Sequence, residues 1–134
     1  TLLIFENNMT FEFSDFKEHK FKKILLVLNN TNRAIKLSEK VLKFKADLLK
    51  DQKIRLEEKS INCEIINIDD LKNIAENVYA LYPTVGENFD FIQNNNLKNI
   101  KLLYRKLDQF SWQYCNKGFF NFKNYIPKII AKFN

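Results

Sequence analysis

The sequence predicts a mainly α-helical domain with a small parallel β element near its N-terminus, an α-rich α/β fold, with an all-α helical domain as the alternative. Three observations predict it. Two short apolar runs, Leu2-Leu3-Ile4-Phe5 and Ile24-Leu25-Leu26-Val27-Leu28, end in Glu6-Asn7 and Asn29-Asn30; buried parallel strands with functional groups at their carboxyl ends have this pattern. Only two Gly and two Pro interrupt 134 residues, too few for an all-β fold with many tight turns. The remaining apolar residues recur mostly at helical spacing. At 46% hydrophobic content with 13 Phe, the chain has enough apolar volume for one core. It is therefore expected to form one domain over residues 1–134, with a strand-helix-strand element over 1–30 and a helical remainder.

The elements follow in order. After the first run, Ser14 or Asp15 is placed to cap a short helix through Phe21, which leads into the second run. From about Thr31 to Glu58, Ile35, Leu42, Leu49 and Leu56 recur every seven residues, with Leu37, Val41, Phe44 and Leu48 at three- and four-residue steps. That is a long amphipathic core helix, with a coiled-coil seam as its alternative. Asn29 and Asn30 are placed to cap it. Asn62 to Ile68 alternates apolar and polar residues and reads as extended. Asp69 or Asp70 then caps a helix carrying Leu71, Ile74, Val78 and Leu81, ended by Pro83. Thr84-Val85-Gly86-Glu87 has capping-box spacing and opens a short helix with Phe89 and Ile92. Leu97, Ile100, Tyr104, Leu107, Phe110 and Tyr114 predict a five-turn helix stopped by Gly118. Pro127 suits the first turn of a last helix with Ile126, Ile129, Ile130 and Phe133 on one stripe.

The chain opens with Thr1 and shows no basic segment followed by a secretory apolar run. It is expected to be a processed product or a piece of something longer. No apolar run approaches the roughly 20 residues that span a bilayer, and no membrane partner is expected. Cys63 and Cys115 stand 52 positions apart, and the one histidine, His19, lies near neither. Both cysteines read as buried thiols, and a reducing cytoplasm suits them. A zinc centre, a Ser/His/Asp triad and a Cys/His dyad all lack partners.

The net charge of +6 is uneven. Residues 95–134 hold eight Lys or Arg against Asp108 alone, interleaved with aromatic residues. Phosphates are neutralised and bases stacked by such mixtures. Lys101, Arg105, Lys106, Trp112, Lys117 and Lys123 are the candidate nucleic-acid contacts. The alternative is a set of solvated lysines over an aromatic core, because 19 Lys, 18 Asn and 14 Ile point to codons biased toward A and T. A third reading makes the aromatic-rich end of a phage or mobile-element protein a hot-spot cluster for another protein.

The order of the segments resembles KAP-type P-loop NTPases and their antiphage-defence relatives. The resemblance rests on Leu3-Ile4-Phe5-Glu6-Asn7 as a Walker B strand and Leu26-Val27-Leu28-Asn29-Asn30 as a strand ending in a polar sensor. It continues through Glu58-Lys59-Ser60-Ile61-Asn62 before Cys63-Glu64-Ile65-Ile66, and through Asn96-Leu97-Lys98-Asn99-Ile100-Lys101 as the start of a lid helix. It implies that Glu6 faces Mg²⁺, that Asn29 or Asn30 senses the γ-phosphate, and that Lys98 reaches the phosphates from the lid. Glu6-Asn7 stands where the family has paired acids, Lys98 where Arg is usual, and Asn62 where the signature has glycine. No G-x-x-x-x-G-K-[ST] occurs, since the only glycines are Gly86 and Gly118. The resemblance thus implies the sensor and lid half of a larger NTPase, joined to a missing N-terminal half, or an inactive relative. ATP and Mg²⁺ would be bound only in a longer parent, and hydrolysis by this chain alone is not expected.

Overall fold

Leu2, Leu3, Ile4 and Phe5 are all fully buried, which an apolar strand achieves only inside a sheet covered on both faces. In the computed structural model, which describes residues 1–9, 11–13, 15–30 and 35–133, this strand (β1, Leu2–Phe5) is central in a five-stranded sheet. The others are β2 (Ile24–Leu28), β3 (Cys63–Asn67), β4 (Val78–Leu81) and β5 (Ile100–Leu103). All pair in parallel, in the order β3-β2-β1-β4-β5. Leu2 lies opposite Ile24 and Phe5 opposite Val27, so the two N-terminal runs are neighbouring parallel strands as expected.

Alternation along the strands divides the core into two layers. Leu2, Ile4, Ile24 and Leu26 face Leu49 and Leu56 of α1 (Glu39–Glu58). Leu3, Phe5, Leu25, Val27, Val78 and Ala80 face the opposite way, toward a 3₁₀ turn at Ile68–Asn73 and α2 (Glu87–Asn94), which supply Leu71, Phe91 and Ile92. One helix covers one face, and a turn and a helix cover the other. The fold is therefore α/β with a parallel sheet drawn from most of the chain. It is neither mainly α with a small N-terminal β element nor all-α.

Two expected helices account for the difference. Leu71, Ile74, Val78 and Leu81 fit a helical stripe, but the chain makes the 3₁₀ turn and then β4. The expected helix from Leu97 to Tyr114 is instead β5 followed by α3 (Lys106–Trp112). A strand of four residues buried between helical layers carries no alternation that distinguishes it from one helical turn. The helix expected before Phe21 does not occur among the described residues: Asp15–Glu18 form a turn, His19 a bend, and Ser14 lies outside the described residues. The first long helix starts at Glu39, with Ser38 as its N-cap residue, so Asn29 and Asn30 do not cap it; Thr31 also lies outside the described residues.

The chain forms two compact units, Thr1–Leu103 and Tyr104–Asn134. The second contains α3, α4 (Phe119–Phe122), a 3₁₀ turn at Lys123–Tyr125 and α5 (Ile126–Phe133). Gly118, with φ of +77°, precedes α4 and starts that helix, where it was expected to stop the one before. Rings hold this unit together: Tyr114 stacks on Tyr125 at 4.4 Å, and Phe110 meets Tyr114 and Phe133 edge-on. No helix among the described residues is long and apolar enough to cross a membrane.

Candidate functional site

β1 and β4 are neighbours, yet the chain leaves β1 for β2 on one side and reaches β4 and β5 on the other. In open parallel sheets this reversal leaves a crevice outside the carboxyl ends of the two strands, where ligands bind. A cavity of about 370 Å³ lies there in the first unit. Its walls come from the segment after β1 (Glu6, Asn7), the first turns of α1 (Val41, Phe44, Lys45, Leu48), the β4–α2 loop (Pro83, Val85, Gly86) and the start of α2 (Glu87, Asn88).

Polar groups converge on its floor. The Glu6 side chain is only 7% exposed and accepts a 2.6 Å bond from Lys45 Nζ, itself 17% exposed. Asn88 Nδ2 approaches the other Glu6 oxygen at 3.4 Å, and Asn29 Nδ2 donates to Asn88 Oδ1 at 2.9 Å. Asn29 is fully buried and Asn88 nearly so. Three strand or helix ends thus place one connected network in the crevice, where low polarity strengthens each bond. Asn7 donates to the carbonyl of Pro83, and Asn8 to that of Tyr82 at 3.1 Å. These bonds tie the segment after β1 to the loop after β4. In that loop Thr84 takes φ of +63°, a conformation rare for a β-branched residue and commonest at functional sites. Gly86 takes φ of +127°, which suits glycine, and a Cβ there would meet nothing within 4 Å.

Of the four residues assigned to nucleotide binding, the structure brings Glu6 and Asn29 into one network. Asn30 is exposed one residue beyond, and Lys98 lies elsewhere. Lys98 precedes β5, at the amino ends of the parallel strands, so the sheet separates it from Glu6. The segment expected to begin a lid helix is the turn into β5. The surroundings of Glu6 do not fit Mg²⁺ either. A lysine ammonium occupies its Oε1, and no group of three His, Cys, Asp or Glu suited to a metal occurs among the described residues.

The candidate nucleic-acid contacts are divided. Lys101 is in β5 of the first unit; the other five are in the second. Arg105 is held by Asp108 at 2.7 and 3.2 Å, Trp112 packs edge-on against Tyr104, and Lys123 lies 5.6 Å from the centre of the Phe120 ring. Cys63 is buried as expected, whereas Cys115 is exposed.

Sequence reasoning missed Lys45 and Asn88. Lys45 is one lysine among 19 on a helix whose depth against the sheet no local pattern reveals. Asn88 offered a signal, as an amide in the first turn of a helix that follows a strand end and a glycine. Comparison with family models, with curated proteins and with solved structures finds no match to this chain.

Proposed function

We propose that Thr1–Leu103 is a ligand-binding α/β domain that takes a nucleoside or mononucleotide in the β1/β4 crevice and does not hydrolyse it. One observation carries this reading: Glu6, Lys45 and Asn88, joined in a network with the fully buried Asn29, line a cavity at the reversal point of the strand order. The sheet shares the order of doubly wound nucleotide-binding sheets. The cavity falls in the lower part of the roughly 300–1,000 Å³ range of small-molecule sites. Val41, Phe44, Leu48 and Val85 form an apolar wall suited to a planar base. The Glu6 carboxylate has lone pairs beyond the two it uses, and Lys45 has N–H groups beyond the one it uses. Vicinal ribose hydroxyls, each both donor and acceptor, match that capacity.

The chain lacks a phosphate-cradling glycine loop, so binding is expected to depend on base and sugar more than on phosphate. This agrees with an inactive relative of the NTPases it resembles, acting as a sensor. One buried and one exposed free thiol suit a reducing cytoplasm for that role.

Calorimetry with adenosine, AMP and ATP, with and without Mg²⁺, tests the reading. Saturable binding is expected that needs no Mg²⁺ and releases no phosphate. Val85 is 83% exposed, so Val85→Asp should fold normally and bind about tenfold more weakly, since a carboxylate would replace apolar contact. If no nucleoside or nucleotide saturates the chain, or if Val85→Asp binds like wild type, the reading is wrong.

A further inference from the structure

We propose that residues 117–123 of the second unit form a peripheral docking element for an anionic lipid surface. Phe119 and Phe120 are 67% and 78% exposed at the start of α4. They touch edge-to-face at 5.9 Å, and together they form an apolar projection that water does not favour. Lys117 and Lys123 flank it. The unit contains six Lys or Arg against Asp108 alone, and Arg105 holds that aspartate. No ion pair involving Lys117, Lys123, Lys128 or Lys132 occurs among the described residues. Exposed phenylalanines flanked by lysines are the chemistry by which short amphipathic segments lie in a lipid headgroup layer, with the lysine stems along the apolar surface and the ammonium groups toward lipid phosphates.

Ring geometry decides between lipid and single-stranded nucleic acid, which needs open ring faces for base stacking. Lys123 lies over the Phe120 ring, Lys128 over Tyr114 and Lys132 over Phe110, at 5.6, 5.4 and 4.0 Å. Tyr114 and Tyr125 stack on each other. Lysines thus cover a face of Phe120, Tyr114 and Phe110, while the exposed Phe119–Phe120 pair meets edge-to-face and offers bulk apolar surface without two parallel faces for successive bases. Insertion into a headgroup layer uses that surface; base stacking does not. With no membrane-crossing helix among the described residues, the contact is one of lying on the surface.

Flotation of the full chain tests this, using phosphatidylcholine vesicles with and without about 30% phosphatidylserine at low and high salt. Binding is expected to the anionic vesicles at low salt and to weaken at least tenfold on pure phosphatidylcholine. Phe119→Ser with Phe120→Ser should lose about as much while melting at the wild-type temperature, because neither ring is buried. Lys117→Glu with Lys123→Glu gives a second variant that leaves the apolar pair intact and should also lose at least tenfold. Absence of flotation with anionic vesicles at low salt overturns the proposal, as does equal flotation with both lipids. Binding of a single-stranded oligonucleotide that both variants lose, without vesicle binding, would overturn the proposal and assign the surface to nucleic acid. None of these outcomes depends on nucleotide binding by the first unit.

Discussion

The two units spend their apolar residues differently. In Thr1–Leu103, aliphatic side chains and a few Phe vanish into two layers around the sheet, and β1 is buried on both sides. In Tyr104–Asn134 the apolar content is mostly aromatic, and Ile129 is the one buried hydrophobic residue among those described. The first arrangement produces a stable frame because burial scales with apolar area removed from water. The second produces a surface, since rings and lysines contact one another while keeping much of their area exposed. Regions with few buried apolar contacts open locally at low free energy, so the second unit is expected to loosen well before the sheet.

Substitution in the frame should have the largest effect. Phe5 is fully buried in β1, and its ring packs in the layer with Ile68, Leu71, Phe91 and Ile92. Phe5→Ala should destabilise the chain by about 3–5 kcal/mol, since removing a buried ring leaves a cavity as well as lost transfer energy. Urea denaturation followed by far-UV circular dichroism measures this. Ile130→Ala, at a residue half exposed in the second unit, should cost less than about 1 kcal/mol. Comparable losses would mean that the units unfold as one and that the contrast between them is wrong.

The same contrast explains what was legible in the sequence. Leu2–Phe5 and Ile24–Leu28 are apolar runs too short for helices and ended by polar residues, so their strands, and Glu6 and Asn29 beyond them, stood out. Cys63 to Asn67 alternates and was also legible as extended. Val78–Leu81 was not, because its apolar residues fall in step with Leu71 and Ile74 at helical spacing; only distant partners, β1 and β5, turn that stretch into a strand. Ile100–Leu103 was misread for the same reason. The network in the crevice was half legible. Strand ends announce themselves locally, but the pairing of Glu6 with Lys45 joins positions 39 apart and depends on how α1 lies across the sheet.

A smaller effect, sensitive to pH, sharpens the account of the frame. The β1–β2 connection is fastened to α1 by Arg55, which contacts Glu12 at 2.7 Å, Gln52 at 2.9 Å, the Met9 carbonyl and Asp51. Burial pushes the Glu12 carboxyl up, but its own backbone, the neighbouring Gln52 side chain and the Arg55 guanidinium outweigh this and hold it below its ordinary value of 4.5. A carboxyl held low in the folded state stabilises above its unfolded pKa, and the contribution is lost as pH falls through the folded value. Arg55→Ala should therefore cost about 1–2 kcal/mol at pH 7, discounted because the arginine is 39% exposed. The difference from wild type should shrink below pH 4.5. Chemical denaturation across that range measures it, and a difference independent of pH would assign Arg55's role to packing.

The two cysteines offer the smallest stability effect and the sharpest comparison of the units. Cys63 lies at the start of β3, 7% exposed, in the layer with Leu49 and Leu56. Burial, with Glu57 nearby, raises its thiol pKa, so little thiolate forms and reagents reach it only when the sheet opens. Cys115 is exposed after α3. A thiol-reactive dye should therefore label Cys115 in the native chain without unfolding. Cys63 should be labelled only as denaturant unfolds the first unit, with the midpoint seen by circular dichroism. Cys63→Ala should cost about 1 kcal/mol and Cys115→Ala less than about 0.5. Labelling of Cys63 before the sheet's circular dichroism changes would show that β3, an edge strand, opens on its own, and would confine the stable frame to β2, β1, β4 and β5.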